Sequence, residues 1–136
     1  MATTLSIRLD WNELDLYGHI NNVSYFKYIQ SARVHFWEET GLYGGFATAR
    51  IGPILAQTGC TFLKPLFYKG NIRIETGVSY LKNSSFGLLH KIYNQDNQLV
   101  AEANDGIVYF NFNVHHSLPI SAAQREKIIP HLISND

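Results

Sequence analysis

The chain has 136 residues, 46% of them hydrophobic and 13% aromatic, with 11 Lys and Arg balanced by 11 Asp and Glu. That is the length of one domain, here expected over residues 1–136, and the aromatic content excludes intrinsic disorder. Zero formal charge and no basic run argue against nucleic acid as the main partner, and no apolar stretch reaches the roughly 18 residues a membrane span needs.

Cys60 is the single cysteine, so no intramolecular disulfide framework exists. The N-terminus meets an acidic residue at Asp10 and has no apolar secretory core, which sets a cytoplasmic location as the expectation. Zero net charge is poor for a lone monomer and mildly favours an oligomer.

Residues 4–10, TLSIRLD, alternate Leu5, Ile7 and Leu9 with polar residues, the period of a strand with one buried face. WNELDLYGHINN follows as a loop. From Ser24 to about Thr40 apolar residues recur at three- and four-residue steps, so the spacing predicts a helix about 26 Å long. Asn21, Asn22 or Ser24 can cap it, and Gly41 ends it. So apolar a helix is expected to be wrapped by the rest of the chain.

Segments 54–63, 71–81, 85–94 and 99–114 are β-branched or aromatic and partly alternating. The breaks at Lys69-Gly70, Asn83-Ser84 and Gln95-Asp96-Asn97 carry turn chemistry, which predicts hairpins of an antiparallel sheet. Ser121 and Gln124 have capping-box spacing, so a short helix should follow. The expected fold is α+β, with a sheet around one central helix.

The densest polar cluster lies between the first strand and the helix: Asp10, Asn12, Glu13, Asp15, His19, Asn21 and Asn22. A helix start offers unpaired N–H groups and partial positive charge, which can hold a developing oxyanion. A nearby carboxylate can attack a carbonyl or activate water. The pair suits acyl transfer or hydrolysis, although loop carboxylates before a helix are most often solvated or capping.

Other candidates carry less. His19 suits a hydrogen-bonded structural histidine better than a base. His115 and His116 are adjacent, so on a strand they point apart, and no acidic partner has metal-ligand spacing; no metal is expected. His35 and His90 are single residues within elements and give no signal. Cys60 reads as a buried, inert thiol. Lys82-Asn83-Ser84-Ser85 reads first as a hairpin turn, and such a loop could also hold a phosphate.

WNELDLYGHINNVSYFKYIQSARVHFWEETG resembles the opening signature of the 4-hydroxybenzoyl-CoA thioesterase-like branch of hotdog-fold acyl-CoA thioesterases. The matching residues are Asp15, Gly18, His19, Asn21, Asn22, Tyr25, Ala32 and Arg33. The likeness continues through CTFLKPLFYKGNIRIET, NSSFGLLHKIYNQDNQLVAEANDGIVYFN and the closing LPIS. It implies a hotdog fold, a curved antiparallel sheet around one long helix, paired into homodimers or homotetramers. It implies an active site at the dimer interface, beside the helix N-terminus.

The resemblance carries the family's catalytic carboxylate onto Asp15 and its carbonyl-polarising backbone N–H onto Asn22. The family often has Asp where Glu13 stands, which reads as a variant outside the chemistry. The implied function is acyl-CoA hydrolysis, with CoA as part of the substrate and no cofactor. Tyr17 and Tyr25 would shape the acyl pocket, with Gly18, His19, Lys64, Lys82, Ser84 and Ser85 as further substrate contacts. The alternatives are a thioesterase for acyl carrier protein and a non-hydrolytic acyl-CoA binding module on the same fold.

Overall fold

The structure is a computed structural model that describes residues 2–42 and 50–133. Strand β1 (Thr3–Arg8) leads through a 3₁₀ turn (Trp11–Glu13) into helix α1 (Asn22–Thr40). Strands β2 (Ile51–Phe62), β3 (Asn71–Leu81), β4 (Ser85–Tyr93) and β5 (Leu99–Asn111) follow, then a two-residue strand β6 (His116–Ser117). Helix α2 (Ala122–Ile128) runs into a final 3₁₀ turn (Ile129–His131).

The helix boundaries have local causes. Asn21 caps α1 by accepting from the Ser24 N–H, and Gly41 ends it in the left-handed region at φ 72°. Ser121 caps α2 by accepting from the Gln124 N–H.

All strand pairs are antiparallel, and the sheet order is β1-β3-β4-β5-β2, with β6 on the end of β5. The β3–β4 and β4–β5 hairpins form where the turn residues place them. A β2–β3 hairpin at Lys69-Gly70 does not form. Strand β3 has β1 on one side and β4 on the other, so no edge is left for β2, which pairs with β5 instead. The connection crosses beneath the sheet end, where Leu66 O accepts from Ile20 N and Gly70 O accepts from Leu9 N.

Helix α1 lies on one face of this sheet rather than inside it. Tyr25, Tyr28, Ile29, Ala32 and Phe36 are buried, whereas Val23, Phe26 and Val34 on the opposite side are exposed. The expectation of a central, wrapped helix is therefore corrected: a single sheet supplies one apolar surface, so one helical face is covered.

The core beneath α1 has two apolar clusters. Tyr25, Tyr28, Ile29 and Ala32 pack with Ile72, Ile74, Ile92 and Ala103 near the helix start, and Phe36 packs with Val78, Leu88 and Ile107 near its end. A polar layer separates them. Arg33 Nε donates to Asp105 Oδ2 at 3.0 Å, His90 Nε2 lies 2.7 Å from the same oxygen, and Thr58 Oγ1 donates to Oδ1 at 2.7 Å. Thr76 Oγ1 meets His90 Nδ1 at 2.8 Å. Each side chain of this layer thus has a partner, as a low-dielectric interior demands.

Candidate active site

The loop from Asp10 to Asn21 folds on itself as a miniature hairpin. Asn21 donates to the Glu13 carbonyl from its backbone N–H at 2.8 Å and from Nδ2 at 2.9 Å. Leu14 then pairs with Ile20, and Asp15 N–H donates to His19 O at 2.7 Å. Gly18 turns the loop at φ 80°, a region that costs other residues strain. Asp15 Oδ1 accepts from the N–H groups of Tyr17 at 2.9 Å and His19 at 3.0 Å. One carboxylate oxygen is thereby fixed, and Oδ2 has no hydrogen bond among the described residues.

An open cavity of about 380 Å³ lies between this loop, the start of α1 and the Phe62–Pro65 segment. Its polar lining is Asp15, His19, Asn22 and Lys64; its apolar wall is Ile20, Tyr25, Phe62, Leu63 and Pro65. Asn22 is the first helical residue, so its N–H has no acceptor within the helix, whereas the Ser24 N–H is taken by Asn21. That amide sits at the positive end of a 19-residue helix.

The wall is rigid. Tyr25 stands edge-on to Phe62 with ring centroids 4.8 Å apart. Burial raises the Tyr25 phenol above its ordinary range against a bond with the Leu66 backbone, so it stays protonated. Burial also raises the Cys60 thiol, which suits packing rather than nucleophilic attack. The site offers a fixed carboxylate, a helix-end N–H with no acceptor in its own helix and a cation around one opening, the means to hold a carbonyl and deliver a nucleophile to it.

Five expected residues, Asp15, His19, Asn22, Tyr25 and Lys64, meet at the cavity. Tyr17 and Gly18 belong to the same loop but do not line it; Gly18 makes the turn, and the Tyr17 side chain is 80% exposed. Lys82, Ser84 and Ser85 lie elsewhere, at the β3–β4 hairpin. There Arg125 Nη2 donates to the carbonyls of Lys82 and Asn83, and Tyr109 N–H donates to Ser84 O. Within one chain these residues serve as the turn.

Sequence reasoning missed three things. Phe62, Leu63 and Pro65 form the apolar wall, which only the crossing of β2 to the far edge brings opposite α1. Glu13, read as lying outside the chemistry, holds the loop through its carbonyl and accepts from Tyr28 Oη at 2.6 Å. His90, which gave no signal, joins the Asp105 layer. Among the described residues no group of three His, Cys, Asp or Glu side chains converges to hold a metal, and no helix is long and apolar enough to cross a membrane.

With this geometry in place, the family match is decisive. The sequence profile of the thioesterase-like superfamily matches residues 9–128, from the residue after β1 to the end of α2. The chain belongs to the thioesterase-like superfamily. It is similar to the long-chain acyl-CoA thioesterase FadM of Escherichia coli, 22% identical over 130 residues that span 94% of this chain and 96% of that one. Among solved structures, gentisyl-coenzyme A thioesterase BH1999 superposes with a TM-score of 0.80 at 25% identity, covering 93% of this chain and 99% of that one. The 1,4-dihydroxy-2-naphthoyl-CoA thioesterase of Synechocystis superposes at 0.83 with 13% identity, covering 95% and 96%. This thioesterase-family enzyme has the hotdog fold of those neighbours, and the match is made at superfamily level.

Proposed function

We propose that this thioesterase hydrolyses acyl-CoA thioesters to a carboxylic acid and free CoA at the cavity beside the start of α1. The observation that carries the reading is the convergence of the Asp15 carboxylate and the Asn22 N–H on one opening. The thioester carbonyl oxygen would accept from the Asn22 N–H, where negative charge develops in the transition state. Asp15 would attack the carbonyl carbon or take a proton from the attacking water. The C–S bond then breaks and the thiolate leaves and is protonated; in the route where Asp15 attacks, water then hydrolyses the acyl–aspartyl anhydride, so in either route water is the only co-reactant.

Lys64 would meet a phosphate or carboxylate of the substrate, and Ile20, Tyr25, Phe62 and Leu63, which line the same cavity, would contact the acyl group. FadM, gentisyl-CoA and dihydroxynaphthoyl-CoA thioesterases support CoA as the thiol, and two of those names carry an aromatic acyl group. The finer assignment to the 4-hydroxybenzoyl-CoA branch rests on the Asp15–Arg33 signature. A homodimer or homotetramer completes the reading, because Leu16 is 93% and Tyr17 80% exposed beside the cavity. Apolar groups so placed invite a second copy that would exclude water from the site.

The test is thiol release from benzoyl-, hexanoyl- and palmitoyl-CoA and from an acylated carrier protein, with light scattering to count the subunits. Turnover of at least one CoA thioester, lost in Asp15→Asn, is the expected result. Binding of all three CoA thioesters without release would make the protein a binding module, and faster release from the carrier protein would change the substrate class.

A further inference from the structure

We infer that Glu13 and Tyr28 form a positioning clamp that sets Asp15 and the Asn22 N–H in their catalytic relation. The inference rests on the hydrolase reading above. Glu13 holds the site from both of its ends. Its carbonyl accepts both donors of Asn21, the backbone N–H at 2.8 Å and Nδ2 at 2.9 Å.

That second bond orients the Asn21 amide, so that Oδ1 faces the helix and accepts from Ser24 N–H at 2.9 Å. The first turn of α1, and the Asn22 N–H within it, is therefore fixed through Glu13. The same carbonyl contact begins the short ladder that continues through Leu14 and Ile20 to Asp15 N–H and His19 O. Asp15 lies two residues beyond Glu13, so its direction follows from the same anchor.

The side chain supplies the second attachment. Tyr28 Oη donates to Glu13 Oε1 at 2.6 Å, and Tyr28 is buried in the core cluster under α1. Burial, with the Glu13 bond behind it, pushes the Tyr28 phenol well above its ordinary range, so the donor is present at any working pH. Lys27 Nζ lies 3.7 Å from Glu13 Oε2, but its side chain is 71% exposed, so the holding contact is the tyrosine. Neither Glu13 nor Tyr28 lines the cavity. Their effect passes through Asp15 and Asn22, and a misplacement of about 1 Å at a reacting group can cost about 100-fold in rate.

The experiment compares Tyr28→Phe, Glu13→Ala and Glu13→Gln with wild type on whichever of benzoyl-, hexanoyl- and palmitoyl-CoA is turned over fastest. Tyr28→Phe keeps the ring and removes only the hydroxyl, so it tests the clamp even where Glu13→Ala does not fold. The expected result is a kcat loss of about tenfold for Tyr28→Phe and up to about 100-fold for Glu13→Ala, with KM within about twofold. Glu13→Gln keeps an oxygen for the tyrosine hydroxyl and should retain kcat within about threefold. Tyr28→Phe added to Glu13→Ala should cost nothing more, because the two act as one unit.

A Tyr28→Phe enzyme with wild-type kcat, or a loss that falls on KM alone, would overturn the clamp. Asp15→Asn, measured alongside, separates the two failures. An inactive Asp15→Asn beside a fully active Tyr28→Phe removes the clamp and leaves the hydrolase reading standing. A fully active Asp15→Asn removes both.

Discussion

Two aspartates of this chain are each fixed by hydrogen bonds and serve opposite ends. Asp105 is enclosed under α1, with side-chain partners on both oxygens: Arg33, His90 and Thr58. Asp15 is exposed in a loop, with backbone N–H groups on one oxygen and open cavity beside the other. Burial alone would raise the Asp105 carboxyl, yet the bonds from His90, Arg33 and Thr58 outweigh it and lower the group to about 2. A carboxylate with every lone pair engaged stabilises a fold. One held from a single side keeps an oxygen for a substrate.

The contrast can be broken by removing one carboxylate at a time. Asp15→Asn should lower kcat by about 10²- to 10⁴-fold, the range of a lost general base, in steady-state thiol release. Its unfolding midpoint in urea should stay at the wild-type value, since the amide oxygen can accept from Tyr17 and His19 as before. If stability fell and turnover did not, the roles assigned to the two aspartates would be reversed.

Asp105→Ala should act the other way. It leaves the Arg33 guanidinium, whose side chain is 12% exposed, without its counter-charge. The expected loss is about 3–5 kcal/mol of unfolding free energy, read from urea titration by circular dichroism. A loss below about 1 kcal/mol would mean that Arg33 finds water and that the layer is not a structural necessity.

Acid sharpens the comparison. The folded Asp105 carboxyl titrates at about 2, below its ordinary value of 3.8. Its contribution is complete above pH 4 and disappears as the pH falls from there toward 2, because the unfolded chain takes up the proton first. Wild type should lose on the order of 2 kcal/mol across that window from this group, and Asp105→Asn should lack that part of the slope.

The smallest effect belongs to Gly18. A Cβ there meets no atom within 4 Å, so Gly18→Ala tests only the φ of 80°. The expected cost is about 1 kcal/mol in unfolding free energy. A larger loss of kcat than of stability would tie the turn to the placement of Asp15.

Much of this was legible without coordinates, because it depends on neighbours in the chain. The alternation of Leu5 and Ile7 in β1, the cap at Asn21, the stop at Gly41 and the cap at Ser121 are set within a few residues. So is the delivery of Asp15 and Asn22 to one helix end, since a short loop cannot carry them far apart. What the sequence could not decide depends on which distant segments meet. The choice of β5 as partner for β2 follows from the occupied edges of β3, and it alone brings Phe62, Leu63 and Lys64 to the cavity. Arg33, Thr58, Thr76, His90 and Asp105 come from α1 and four different strands, well separated along the chain. Hydrogen bonding among buried groups is short-ranged and indifferent to sequence separation. Only the packed sheet and helix could bring those five together, or join Glu13 to Tyr28, 15 residues further along the chain.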